Sequence, residues 1–466
     1  MRGAACLCAA LAALLVVPLA GAQSQPADNS WLAFGHDPQL TNSVDARAWT
    51  TAAGRKLATA WTAELDGGIV ASPLVAQVPG GVPAVFVATE GGEVAAFSVA
   101  DGSLLWKTEL GSVDTGGCGT WGVTSTGAID TARNLLYVAN ADGYVHALSL
   151  ATGDEAPGWP VQVTDRPTTE YVWGGLRILR DTLYVPFASY CDEPDENGVS
   201  AVGRLDALSL AEPASTPATF EPAARANDLA GVWGWGGITV APDGRSIYTG
   251  IGNSSSDSEV DGYGESLVQL TPDLGTVLGW NRPFVPTEPI DTDLGASPVI
   301  FKVPGCPTLA ALNSKSGSLY VWWAAAIGAG PVASLPLSDG VDAFVGEPSW
   351  SPRTKLLYDA GATFTRGGTK IGAGVIALRV TRDCTFKPVW SRVVGAGSQP
   401  PPLVAGDVVV ASGGTPGDFV ALDARTGTVL QRVSTGGATT WGPAIEARGT
   451  IFAGDASGTL YAFRPR

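Results

Sequence analysis

The sequence predicts an all-β fold, an eight-bladed β-propeller of four-stranded antiparallel blades, on three observations. A strand–turn–strand phrase recurs. It reads Phe86-Val-Ala-Thr-Glu-Gly-Gly-Glu-Val-Ala-Ala-Phe97 and Leu136-Tyr-Val-Ala-Asn-Ala-Asp-Gly-Tyr-Val-His-Ala-Leu148, and returns at 409–422 and 451–463. Glycine numbers 60 and proline 33 in 466 residues, charged residues make up only 15%, and no long amphipathic helical pattern occurs. The chain is also too long for one ordinary core, which a repeat architecture resolves.

The Ala-Leu-type strand ends fall at Phe97, Leu148, Leu208, Leu270, Leu312, Leu378, Leu422 and Phe463. Counting them gives eight blade-sized units, with seven blades as the alternative. The last unit, from Trp441, holds too few strands for a blade. The segment 57–65 has no preceding strands of its own. Joining the two closes the ring, so that the N- and C-terminal strands share one blade.

The N-terminus reads as a cleaved signal peptide over residues 1–22, with Arg2, an apolar run over 9–19 and Ala20-Gly21-Ala22 before Gln23. The run is too short to span a bilayer, so no transmembrane anchor is expected. The expected organisation is an N-terminal extended segment over 23–55 and a single propeller over 56–466, secreted or periplasmic. A formal net charge of −16 disfavours nucleic-acid partners. Four cysteines remain after cleavage, Cys118, Cys191, Cys306 and Cys384; in an oxidising compartment they make two disulfides with three possible connectivities. His36 and His146 are the only histidines, which leaves no histidine-rich metal centre. Long insertions at 188–204, 253–265, 283–294 and 363–374 are the expected builders of a functional face.

Trp31-Leu-Ala-Phe-Gly-His-Asp37, the Ala-Leu…Thr-Gly…Trp units and Cys118-Gly-Thr-Trp-Gly-Val-Thr-Ser-Thr126 resemble the pyrroloquinoline quinone (PQQ) propeller superfamily. That superfamily includes quinoprotein alcohol dehydrogenases and non-catalytic scaffold propellers. The resemblance implies PQQ and a Ca²⁺ or lanthanide ion as cofactors, a small alcohol or sugar as substrate, and a separate electron acceptor. It implies Trp235 as the residue stacked on the quinone and Asn253, after Trp233-Gly-Trp235, as a metal ligand. Asp291 is implied as general base and metal ligand, and Asp293 as the extra carboxylate of lanthanide-using members. Lys315, in Ser314-Lys-Ser-Gly317, is the implied contact to the quinone oxygens. Asp192 takes the place of a metal-ligating Glu. Where catalytic members stack a disulfide of adjacent cysteines on the quinone, this chain reads Cys118-Gly119, so Cys118 is the candidate contact without that ring. Pairing Cys118 with Cys191 would staple neighbouring blades and leave Cys306 with Cys384. The same residues also have structural readings: Trp233 and Trp235 as blade-contact fillers, Asn253 as a turn residue, the aspartates as loop caps. The alternative function is a non-catalytic scaffold or binding module for a protein or glycan partner.

Overall fold

The computed structural model describes residues 30–466 except 196, 224–228, 255–261, 285–292, 339–346, 362–364, 367–368, 371–372, 396–399, 413–416, 437 and 439–440. The expected signal peptide lies outside the described residues. Eight antiparallel sheets surround one axis, and we number them by their innermost strands. Blades 1 to 4 begin with Leu74–Gln77, Ala128–Asp130, Arg177–Leu179 and Thr239–Val240. Blades 5 to 8 begin with Val299–Phe301, Ser349–Ser351, Leu403–Ala405 and Ile445–Ala447. Each adds three further strands outward; blade 3 gains Glu170–Tyr171 and blade 7 gains Ser43–Val44. Seven of the eight sequence markers fall on third strands. Leu312 is the exception: it lies on the second strand of blade 5, Leu309–Asn313, and the third strand there is Ser318–Trp323. The Ala-Leu phrase occurs in the neighbouring strand of that unit, which leaves the count of eight intact.

The chain ends share blade 8. Leu57–Glu64 is its outermost strand, antiparallel to Thr459–Pro465 with one register shift between Thr59 and Trp61. That pairing closes the ring.

The repeated Gly…Trp spacing has a packing cause. Trp106 on the outer strand of blade 1 lies against Gly153 in the turn between the third and fourth strands of blade 2. Its Nε1 donates to the Leu150 carbonyl at 3.0 Å. A Cβ on Gly153 would come within 2.5 Å of the indole, and its φ is +73°. Trp61 with Gly102 and Trp390 with Gly427 repeat the contact. Each indole buries a large apolar area while satisfying its one donor, and the glycine supplies both the turn conformation and the clearance.

A second device lies at the axis. The segment 31–42 runs round the inner strands, meeting one blade after another. Trp31 exchanges hydrogen bonds with Val75 (blade 1). Leu32, Pro38, Gln39, Thr41 and Asn42 then offer carbonyls to the amides of Ile129, Val240, Ile300, Trp350 and Val404 in blades 2, 4, 5, 6 and 7. Blade 3 reaches it through Arg177 Nη2, which donates to the Phe34 carbonyl at 2.5 Å. Left-handed conformations at Gly35, His36, Leu40 and Asn42 let this belt curl tightly. It satisfies inner edges that would otherwise present unpaired amides.

Beneath the belt's turn sits a buried charge group. Glu347 Oε1 accepts from the amides of Gly236 and Ser297 at 2.8 and 2.9 Å, joining blade 6 to blades 4 and 5. Burial pushes its carboxyl up to about 7, against the pull of those hydrogen bonds and of Arg177. Asp359, buried and bonded by Asn313 at 2.6 Å, is likewise raised by burial to about 7.

Two predictions follow from these contacts. Trp106→Ala removes a buried indole and its hydrogen bond and should cost roughly 3–5 kcal/mol in urea unfolding. For Glu347, the folded chain holds a proton that the unfolded chain has lost. Its contribution is therefore full below the ordinary carboxylate range and disappears as pH rises through about 7. Between about pH 4.5 and 7.5 the wild type should lose roughly 3 kcal/mol relative to Glu347→Gln, read from paired urea titrations.

Candidate functional site

In a four-stranded blade, the turn between strands two and three and the link to the next blade emerge at the same end. Side chains from these two loop classes enclose a cavity of about 620 Å³. Its lining comes from blades 8, 1, 2, 3, 4 and 5, an arrangement available only at the mouth of the axis. The floor is Trp235, buried against Phe34 and Leu40 of the belt, with Val70 and Trp441 alongside.

Five tryptophans line it: Trp121, Trp173, Trp233, Trp235 and Trp441. Trp233 is held in a slot that only glycines allow, since a Cβ on Gly295 would fall 1.9 Å from its ring and one on Gly252 at 2.7 Å. Trp121 and Trp173 meet edge to face at 5.1 Å, and Tyr171 stacks on Tyr190 at 4.4 Å. Their indole donors are satisfied locally: Trp121 Nε1 bonds the Cys118 carbonyl at 2.8 Å and Trp173 Nε1 the Ser189 carbonyl at 2.6 Å. The aromatic wall is therefore fixed in place.

The polar side of the cavity is an ion pair. Lys315 Nζ lies 3.0 Å from Asp293 Oδ2, with the Asp293 side chain only 3% exposed. Asp293 Oδ1 accepts the Asn253 amide at 2.5 Å, and its carbonyl accepts the Lys315 amide at 2.9 Å. The ammonium also stands over the Trp233 ring, 4.7 Å from its centroid. Backbone clips and a charge-assisted bond thus fix a buried carboxylate and a half-buried ammonium. Across the cavity, Glu90 accepts from Thr124 Oγ1 at 3.1 Å. Burial raises its carboxyl, and the Thr124 bond opposes the rise. Thr124 in turn accepts from Tyr171 at 2.6 Å.

Trp235, Asn253, Asp293, Lys315 and Asp192 thus line one cavity. Asp291 lies outside the described residues. Asp192 stands on the rim with an exposed carboxylate hydrogen-bonded to Ser189 of its own loop, its φ at +60°. Asn253 contributes its amide to Asp293 and its carbonyl to Ala230. Among the described residues, no three acidic, histidine or cysteine side chains gather as a metal-ligand set. Cys118 is disulfide-bonded to Cys191, which lines the cavity beside Asp192; Cys306 is bonded to Cys384. The Cys118–Cys191 bond ties the link between blades 1 and 2 to the turn after the second strand of blade 3.

Sequence reasoning missed Glu90, Trp173, Tyr190 and Trp441. Glu90 had a findable signal. It stands two residues before the turn glycine Gly92, as Lys315 does before Gly317 and Ala456 before Gly458, and all three line the cavity.

Among the described residues, no helix is long and apolar enough to cross a membrane. Residues 40–206 match the family model described as outer membrane protein assembly factor BamB. Comparison with curated proteins gave no match. Among solved structures, the chain is similar to the quinohemoprotein alcohol dehydrogenase of Comamonas testosteroni (16% identity, 93% of this chain and 80% of that one, TM-score 0.74). It is also similar to a quinohemoprotein alcohol dehydrogenase of Pseudomonas putida HK5 (14%, 94% and 80%, TM-score 0.76). A europium-containing methanol dehydrogenase matches at 15% identity over 94% of this chain and 99% of that one, TM-score 0.71. The repeat match over 40–206, the eight blades and these superpositions give this chain the PQQ-type, quinoprotein alcohol dehydrogenase-like eight-bladed propeller fold.

Proposed function

We propose that this chain is an exported quinoprotein, one that holds pyrroloquinoline quinone in the axial cavity to oxidise an alcohol or a sugar and passes the electrons to a separate acceptor. The observation that carries this reading is the cavity itself: five tryptophans and the Lys315–Asp293 pair, brought from separate blades to one enclosed volume. Flat indole faces suit a planar tricyclic ring, and an ammonium suits its oxygens. When bound, the quinone supplies a two-electron acceptor for the hydride of the carbinol carbon. Trp235 carries the ring on the cavity floor. Lys315 donates to ligand oxygens on which negative charge develops. Asp291, two residues before Asp293, takes the proton of the substrate hydroxyl. The aromatic wall of Trp121, Trp173 and Tyr190 keeps bulk water from the reacting atoms. Asn253 and Asp192, which line the same cavity, would offer oxygen ligands to a Ca²⁺ or lanthanide ion. Export is supported by the two disulfides and the leader-like N-terminus.

A second reading has its own observation. Indole faces also receive sugar rings, and the five tryptophans of this lining suit a binding module for a glycan or protein partner.

PQQ should quench the tryptophan emission of the purified protein in a saturable titration, and dye-linked oxidation of simple alcohols or sugars should follow. Asp291→Asn should lower that turnover by about 10²–10⁴-fold while leaving the quenching in place. Glycan binding with no quenching by PQQ would move the assignment to the second reading.

A further inference from the structure

Glu90 lines the axial cavity and takes no part in its ion pair. It stands in the turn between the second and third strands of blade 1, at the place Lys315 holds in blade 5. Four steps in a ring of eight set those two places on opposite walls. The turn is pinned. The Glu90 amide donates to the Gly68 carbonyl at 2.9 Å, and a Cβ on Gly122 would fall 2.8 Å from the Glu90 carbonyl. The carboxyl is pinned as well: Tyr171 donates to Thr124 at 2.6 Å, and Thr124 donates to Oε1 at 3.1 Å, so both hydroxyl protons point toward Glu90. Its other oxygen, Oε2, has no partner among the described residues. The geometry therefore presents one fixed, unengaged carboxyl oxygen at the wall facing Lys315.

The surroundings say what that oxygen suits. An ammonium ligand needs the carboxylate anion, and burial works against the anion here. A hydroxyl is served by either form, because a carboxylate accepts from it and a carboxylic acid can also donate to it. Trp121 adjoins the same turn through Gly122, with its ring 5.9 Å from that of Tyr171. A sugar carries hydroxyls round its edge and C–H groups on its faces, so a carboxyl beside an indole matches both. The cavity of about 620 Å³ is also far larger than a simple alcohol fills.

We propose that Glu90 and Trp121 form a hydroxyl-binding subsite opposite Lys315, and that the molecule held there is a neutral sugar or polyol rather than a simple alcohol. Its role as a substrate rests on the quinone reading above; the contact itself needs only the axial cavity as the ligand site.

The test uses the full purified chain, with and without PQQ. D-glucose, D-galactose, myo-inositol, 1-propanol and tetramethylammonium are each titrated by calorimetry. At least one of the three polyhydroxylated probes should bind about tenfold or more tighter than 1-propanol and tetramethylammonium. Glu90→Ala should weaken that probe by about tenfold or more, while Glu90→Gln stays within about threefold of wild type, since an amide still accepts and donates. The ranking of probes uses unaltered protein, so it decides even where Glu90→Ala folds poorly. Tetramethylammonium as the tightest probe, no saturable binding of any polyhydroxylated probe, or sugar binding indifferent to Glu90→Ala overturns the subsite. Failure of the quinone reading is seen separately: Glu90-dependent sugar binding in a protein that PQQ does not quench keeps the subsite and removes the quinone, and quenching without sugar binding does the reverse.

Discussion

The pairing of Leu57–Glu64 with Thr459–Pro465 is the constraint on which the molecule depends. A blade is a small sheet with two apolar faces, and neither face is covered until a neighbour stands on each side. Seven blades in an open arc would leave two such faces in water. Joining Leu57–Glu64 to the last strand in one sheet removes both ends at once. The indole-on-glycine contacts then set the rotation from blade to blade, because Trp61, Trp106 and Trp390 each reach into the turn of the next sheet.

The cavity is a by-product of that closure. Its lining residues are far apart in sequence and share only their loop class. The rigid ring brings Glu90, Trp235, Lys315 and Trp441 to one volume without any direct pairing between their strands. Such a frame holds aromatic faces and an ion pair at fixed separations, which is what a planar, charged ligand requires. The unlike surroundings of its carboxylates give them unlike chemistry. Asp293 lies 3.0 Å from an ammonium, while burial raises the Glu90 carboxyl above its ordinary range.

The fold was legible because repeats write it many times. An error in one unit, such as reading Leu312 as a third-strand marker, leaves the others to correct it. The shared blade was legible from strand counting at the two ends. The site was legible only in part. Asn253, Asp293 and Lys315 announced themselves through a resemblance, and the structure sets all three on one cavity. Their mutual engagement was invisible, since nothing in the letters shows that Lys315 lies against Asp293 rather than pointing to solvent. Glu90 escaped because its turn looks like any other Gly-Gly turn until the repeats are aligned on their glycines. Trp441 escaped because an indole in an unfinished C-terminal unit reads as packing.

The belt at 31–42 carries a consequence for how such a chain comes into being. It precedes every blade in the sequence, yet its partners are spread from Val75 to Val404. Each contact with a later blade closes a loop of growing length, and the last spans most of the polypeptide. The belt therefore cannot settle against a partial ring. Its docking and the pairing of the outermost strand of blade 8 are late events, and both await the C-terminal half. Assembly is in this sense all at once: the belt can dock fully only when every blade it touches has formed.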